Sequence, residues 1–429
     1  MPEVESTRAA SRWATRIIPL VLAAAVGYGT YVVIVHVCVR YLLSPPHKDE
    51  AAAIVILVLY FIFLLFMIAS YLRTYLTIVF DCGVVPLGPL AVERRRENRR
   101  KRKKSHPPGD LEGHAYHAGP DLDPDSPGLE QFYTKDVFVC ESDGRPKWCS
   151  ECCNWKADRV HHSSEIARCV YRMDHYCPWV GGMVGENSFK FFVQFTTYAT
   201  CYCALVLVVT AWCLASQLQE QHLRRKPSSF PHLVAGIAIA AFFGIFNFLM
   251  TATSMRYVFL NMTNVDMLGA RSKVHQLAVR VPRGTRSTDV FTTVTYPLPK
   301  LELGINGEAN RRSRPRATDN SASGGRANGA SPDPRDDLAT RTFAILRTEP
   351  GENPWHLGYW QNWKSVMGTN FIDWLLPIRK SPCVNHEYGE SFYPMGPLLA
   401  DIRARYGLSR NVADGGAGLE MRQIGSRRA

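Results

Sequence analysis

The 429-residue chain has no internal repeat, and its acidic residues fall short of its basic ones, 38 against 50, for a net charge of +12. Hydrophobic residues reach 46%, an ordinary globular share, but they are spread unevenly. Four stretches are almost empty of charge, at about 17–43, 51–72, 192–216 and 233–259. Each is long enough to cross a bilayer as a helix, which takes about 20 residues. A buried helix in a soluble core accounts for one such run but not for four. The first run contains His36 and Arg40, and Arg40 lies near its end, where it can snorkel. That run is too long for a cleaved signal peptide, and the next follows within a few residues. Few charges and no repeated broken-helix pattern argue against a solute transporter.

The expected fold is therefore an all-α integral membrane protein. Four transmembrane helices flank a cytosolic cysteine-rich loop between spans two and three, and a partly disordered cytosolic tail follows. The segments are an N-terminus at 1–16, the central loop at 73–191 and the C-terminal region at 260–429. Orientation follows from positive charge. Arg8, Arg12 and Arg16 precede the first span, a basic run lies in the central loop, and the tail is rich in arginine. The first hairpin loop, 44–50, has only Lys48. Both termini and the central loop are expected to be cytosolic, with Arg224, Arg225 and Lys226 as dissenting charges. The basic run from Arg94 to Lys104 reads as a solvated tract, a nuclear-localisation or nucleic-acid patch, or a juxtamembrane segment on anionic headgroups. Its closeness to a span favours the last, and nothing else suggests nucleic-acid binding. Two stretches, about 105–128 and 304–337, lack apolar periodicity and are expected to be disordered.

Five of the twelve cysteines, Cys149, Cys152, Cys153, Cys169 and Cys177, crowd into the central loop. A secreted disulfide scaffold would spread them over a small soluble domain, and cytosolic thiols stay reduced. Cys149 and Cys152 form a C-x2-C knuckle. With His162 and Cys169 they supply three thiolates and an imidazole, a set that zinc favours. Such a closed site is structural and folds a loop too poor in apolar residues to fold alone. Asp174, His175 and Cys177 suggest a second task. An imidazole can take a thiol's proton, and a carboxylate can orient that imidazole. On these residues alone, His175 and Cys177 fit either a nucleophile with its base or further zinc ligands.

The stretch Met173-Asp174-His175-Tyr176-Cys177-Pro178-Trp179-Val180-Gly181-Gly182, with Asn187 and Phe191 after it, resembles the DHHC family of protein S-acyltransferases, or palmitoyltransferases. The Asp-His-Tyr-Cys form is similar to a fungal branch of that family. The resemblance covers the four spans, the loop at about 146–191 and pieces of the tail. Asp81-Cys82-Gly83 looks like the Asp-Pro-Gly motif with its proline replaced. Thr263-Asn264-Val265-Asp266 looks like a degenerate Thr-Thr-x-Glu motif, and Asn353-Pro354-Trp355 through Asn362-Trp363 looks like the C-terminal aromatic and asparagine segment. Phe371, Trp374, Leu375 and Leu376 are expected to pack on the membrane face.

The resemblance implies two zinc sites. The first maps onto Cys149, Cys152, His162 and Cys169. The second requires ligands at positions that hold Ser163, Ile166, Tyr176 and Met183 here, so one zinc is expected. The resemblance also implies Cys177 as nucleophile, His175 as base and Asp174 as its orienting partner. They would pass an acyl chain from palmitoyl-CoA or a similar acyl-CoA to cysteines of membrane-associated proteins. Tyr198, Ala199, Cys201 and Tyr202 are expected along the acyl pocket, and Arg159, Arg168 and Arg172 are candidates for CoA phosphates. Cys82 and Cys140 are candidates for palmitoylation themselves. The altered motifs keep one alternative open, a non-catalytic zinc-bearing membrane scaffold.

Overall fold

A computed structural model describes residues 2–103, 128–220, 230–297, 340–386 and 388–408. The expected disorder at 304–337 and at 105–127, the Arg224–Lys226 charges and the arginine-rich end beyond 408 lie outside the described residues.

Among the described residues four helices are long and apolar enough to cross a membrane, at Trp13–Leu42, Glu50–Phe80, Phe189–Gln219 and Phe230–Leu260. The first is α1 (Pro2–Tyr31), which widens into a π-helical stretch over Val32–Leu42. The second, α2 (Glu50–Phe80), starts where the Asp49 carboxylate accepts the Ala52 amide at 2.9 Å, which satisfies one of the donors a helix start leaves free. It outruns its apolar stretch by about two turns, because Tyr71, Thr74, Tyr75 and Thr77 continue the helix toward the loop. In the central loop come α3 (Pro89–Lys103), α4 (Glu130–Tyr133) and seven three-residue strands. These are β1 (Val137–Val139), β2 (Lys147–Cys149), β3 (Asn154–Lys156), β4 (His161–Ser163), β5 (Arg168–Val170), β6 (His175–Cys177) and β7 (Gly182–Val184). The third and fourth spans are α5 (Phe189–Glu220) and α6 (Phe230–Leu260).

The spans meet around α5, which packs on both α2 and α6. Tyr60 Oη lies 2.8 Å from Tyr202 Oη and 2.7 Å from Thr30 Oγ1, so spans one, two and three share one buried hydroxyl chain. Leu65, Val208, Phe242 and Ile245 point outward and exposed, as a hydrocarbon solvent requires.

Outside the spans the chain is not all helical. After α7 (Asn264–Met267) come β8 (Gln276–Val281), β9 (Thr292–Pro297) and β10 (Thr340–Arg347). They join β1 in an antiparallel sheet of order β1-β8-β10-β9. Val279 faces both Val137 and Ala344 in this register. Phe138, Leu277, Phe343 and Leu346 are fully buried in its core. The pattern of long apolar runs did not announce this sheet, since its strands are short and their partners lie far apart in the chain. Among the described residues three C-terminal α-helices follow: α8 (Tyr359–Met367), α9 (Phe371–Leu375) and α10 (Leu398–Arg405). Gln194 Nε2 donates to the carbonyls of Asp373, Trp374 and Leu376, and Tyr198 Oη to that of Leu375, so α9 is tied to the first turns of α5. Phe371 and Leu375 stay exposed there, while Trp374 packs edge-on against Trp363.

Candidate functional site

The cysteine-rich loop is built of three hairpins, β2–β3, β4–β5 and β6–β7. Cys149 closes β2, and Cys152 lies in the turn that follows, where its amide donates to Cys149 Sγ at 3.4 Å. His162 and Cys169 are cross-strand neighbours in β4–β5. The four ligand atoms lie within 4.8 Å of one another, and among the described residues this is the one such grouping of His, Cys, Asp or Glu that could hold a metal ion. His162 Nδ1 lies 3.5, 3.4 and 3.9 Å from the sulfurs of Cys149, Cys152 and Cys169. The other four positions carry no comparable set. Ser163 donates to Glu165 at 2.8 Å, Tyr176 and Met183 oppose each other across β6–β7, Met183 is fully buried, and Ile166 is half-buried.

Strand geometry decides the arrangement around Cys177. Side chains alternate along β6, so His175 and Cys177 share one face. His175 Nδ1 lies 2.6 Å from Asp174 Oδ2, and the imidazole is also hydrogen-bonded to Cys177. Burial alone would lower the His175 pKa, but the bonds to Asp174 and Cys177 outweigh it and push it up to about 10. Asp174 is itself buried, and its second oxygen accepts the Asn264 amide at 2.8 Å. That amide is presented by a capping box in which Thr263 and Asp266 bond each other's backbone. Gly181 ends the turn after Cys177 at φ 93°, and a Cβ there would meet the Tyr75 ring at 2.7 Å.

Cys177 is buried in an apolar cluster with Ile78, Phe189, Phe192 and Met367, against which Tyr71 and Phe195 pack. Tyr71 and Phe195 also line a cavity of about 480 Å³ bounded by all four spans. Along α5 the lining runs from Phe195 to Val206, about 16 Å of helix. Ala199 and Tyr202 belong to it, with Gly29, Gly236 and Phe243. Tyr198 and Cys201 fall outside the lining. Tyr198 instead stacks on Phe66 with ring centroids 5.1 Å apart.

Of the three arginine candidates, Arg159 and Arg172 are buried and Arg168 is half-buried, and all three are engaged within the protein. Arg159 donates to Asp266 at 2.7 Å and to Asn261 at 2.9 Å, and lies over the Trp355 ring. Arg172 donates to Cys383 and Asn261, and Arg168 to the Val85 carbonyl. Of the lysines that act on this part of the loop, Lys147 is exposed, Lys156 is half-buried, and Lys273 is half-buried and paired with Asp266 at 3.4 Å. Burial, with those lysines, pushes His161 down to about 4 despite Asp266. The basic run is also partly engaged, since Arg94 and Arg95 donate to the carbonyls of Glu151 and Ala167 and so dock α3 on the cysteine-rich loop. Neither extra cysteine is an open acyl acceptor. Cys140 is buried with its thiol pushed up by burial, and Cys82, pushed up to about 11 by burial and by Asp81, donates to the Met183 carbonyl.

A four-span membrane fold with a Cys/His cluster and a Cys–His–Asp constellation at the span ends matches a known family. The profile of the DHHC palmitoyltransferases matches residues 142–270. Palmitoyltransferase pfa5 of Aspergillus fumigatus is 38% identical over 92% of this chain and 90% of its own. Palmitoyltransferase pfa5 of Emericella nidulans is 37% identical over 94% of this chain and 87% of its own. Palmitoyltransferase PFA3 of Saccharomyces cerevisiae is 36% identical over 34% of this chain and 44% of its own. The chain belongs to the DHHC palmitoyltransferase family and is a multi-pass membrane protein S-palmitoyltransferase.

Proposed function

We propose that the chain transfers a palmitoyl group from acyl-CoA to cysteines of membrane-associated proteins through a thioester on Cys177. One observation carries this reading. The imidazole of His175 bridges the Asp174 carboxylate and the Cys177 thiol, beside a cavity that all four spans enclose. His175, whose pKa the bonds to Asp174 and Cys177 push up to about 10, is placed to take the Cys177 proton as base.

In the first step the Cys177 sulfur attacks the thioester carbonyl. The carbon–sulfur bond to CoA breaks, and the leaving CoA thiolate takes the proton from His175. In the second step a substrate thiol passes its proton to His175 and attacks the acyl-enzyme, and the Cys177 sulfur departs. Asp174 keeps the ring in the tautomer and orientation that both transfers need. The acyl chain lies in the apolar cavity, where each buried methylene contributes about 0.8 kcal/mol. Lys147 and Lys156 suit the phosphates of CoA better than the buried Arg159 and Arg172 do. The reaction side is cytosolic, because the basic α3 and the loop share it.

The metal is zinc, and one per chain. Zn–S bonds near 2.3 Å and Zn–N bonds near 2.0–2.1 Å in a tetrahedron separate sulfur from nitrogen by about 3.5–3.6 Å. The sulfur–Nδ1 separations of 3.4–3.9 Å agree with that value. Cys149, Cys152, His162 and Cys169 would fill every position, so the ion holds the loop's shape and takes no part in acyl transfer.

Purified protein given labelled palmitoyl-CoA is expected to gain a hydroxylamine-sensitive label that Cys177→Ser abolishes. A label persisting in that variant would refute the assignment. A protein that binds partners yet never carries the label would be the scaffold instead.

A further inference from the structure

The strand that carries His175 and Cys177 is anchored at its entry to the end of α6. Asn264 holds Asp174 through its amide. Three residues earlier, Asn261 holds Arg172, which lies two residues before Asp174. Asn261 Oδ1 accepts Arg172 Nη2 at 2.9 Å and Arg159 Nη1 at 2.9 Å. Its backbone carbonyl accepts Arg159 Nη2 at 3.1 Å, and its Nδ2 donates to the Trp355 carbonyl at 2.7 Å. Both arginines are buried, at 6% and 4% exposure, and both stand in left-handed backbone, at φ 61° and 41°. These two turns of the loop therefore hold sparsely populated conformations while bringing two cations to one acceptor. Such an arrangement persists only where the surroundings over-determine it. Asn261 is also left-handed, at φ 49°, just past the last residue of α6, a conformation asparagine tolerates better than most residues.

We propose that Asn261 is a positioning residue for the His175–Cys177 pair: by bridging the guanidiniums of Arg159 and Arg172 it sets where β6 leaves the loop. This rests on Cys177 and His175 being the reacting pair. Asn261 touches none of the reacting atoms. It acts through Arg172, whose backbone leads through Met173 to Asp174, while the Asn264 amide at the start of α7 fixes the Asp174 carboxylate. The two asparagines thus pin two points of the chain two residues apart. Displacing a reacting group by about 1 Å costs on the order of 100-fold in rate.

The test uses the full chain in liposomes with palmitoyl-CoA, read by single-turnover acylation of Cys177. Asn261→Gly keeps the backbone conformation and removes the bridge. Asn261→Asp keeps an oxygen for both arginines but turns the donor to the Trp355 carbonyl into an acceptor, so that bond is lost. Asn261→Gly is expected to lower the saturated acylation rate by about 10- to 100-fold, with KM for palmitoyl-CoA within about twofold and metal content unchanged. Asn261→Asp is expected to recover most of that rate. A wild-type rate in Asn261→Gly overturns the proposal. So does a loss in Asn261→Asp equal to that in Asn261→Gly, since the arginine bridge would then not be the feature that matters. Failure of the nucleophile assignment is read separately, as a label that survives Cys177→Ser.

Discussion

Asp174 Oδ2 accepts a hydrogen bond from His175 Nδ1 at 2.6 Å, and the two residues are neighbours in the chain. The contact leaves the other ring nitrogen for Cys177, on the same strand face two positions on. Removing the carboxylate leaves the ring without the partner that selects its tautomer. Asp174→Asn is expected to cut Cys177 acylation by at least about 100-fold, measured in single turnover, with palmitoyl-CoA binding retained.

The raised His175 pKa links stability to pH. The group is raised from 6.5 to about 10, so its contribution is complete below pH 6.5 and is lost as pH rises through 10. Thermal melts of the wild type from pH 7 to 10 are expected to fall more steeply than those of His175→Gln. Parallel curves would show that the imidazolium stabilises nothing.

Asp266 carries the opposite sign. Burial raises its pKa, but Arg159 and Lys273 outweigh that and hold the carboxyl well below its usual 3.8. Its contribution is present above pH 3.8 and is lost as pH falls below it. Asp266→Ala leaves Arg159 buried without its carboxylate and is expected to cost about 3–5 kcal/mol in denaturant unfolding. A change below 1 kcal/mol would show that Asn261 alone suffices for Arg159.

Metal removal is expected to act on the loop before the spans. Elemental analysis should give about one zinc per chain. A strong chelator should lower the melting temperature and expose the cluster thiols to alkylation, while circular dichroism still reports the helices. A ratio near two would mean that metal is held without the side chains at 163, 166, 176 and 183.

Tyr202 lines the cavity and shares the Tyr60–Thr30 hydroxyl chain. Ala199→Phe fills the same space from one turn away. It is expected to lower the use of long acyl-CoAs relative to short ones, by about fourfold for each methylene excluded, from about 0.8 kcal/mol apiece. Competition between palmitoyl- and lauroyl-CoA measures this directly, and an unchanged ratio would place the chain elsewhere.

Much of the site is readable without coordinates because its chemistry is local. Cys149 and Cys152 share a knuckle, and Asp174, His175 and Cys177 lie within four residues, while the strand that puts His175 and Cys177 on one face appears only in the structure. The partners of Arg159 and Arg172 were not readable, because Asn261 and Asp266 lie about 90 to 110 residues further along the chain. The arginines looked like surface cations, and their left-handed backbone has no composition signal. Lys147 and Lys156 carry no local signal either, since nothing in the sequence separates a lysine near a site from any other. The sheet was hidden for the same reason, with β1, β8 and β10 far apart in the chain.

The order of residues by itself determined the four spans and grouped the candidate metal ligands, and left the roles of Asp174, His175 and Cys177 to the family resemblance, because helix length in hydrocarbon and ligand spacing are properties of short segments. Only the tertiary structure decided which face of each span encloses the cavity, which cations are buried, and what braces the strand under His175. Those outcomes depend on packing and on desolvating charge, and both are settled by residues distant in sequence.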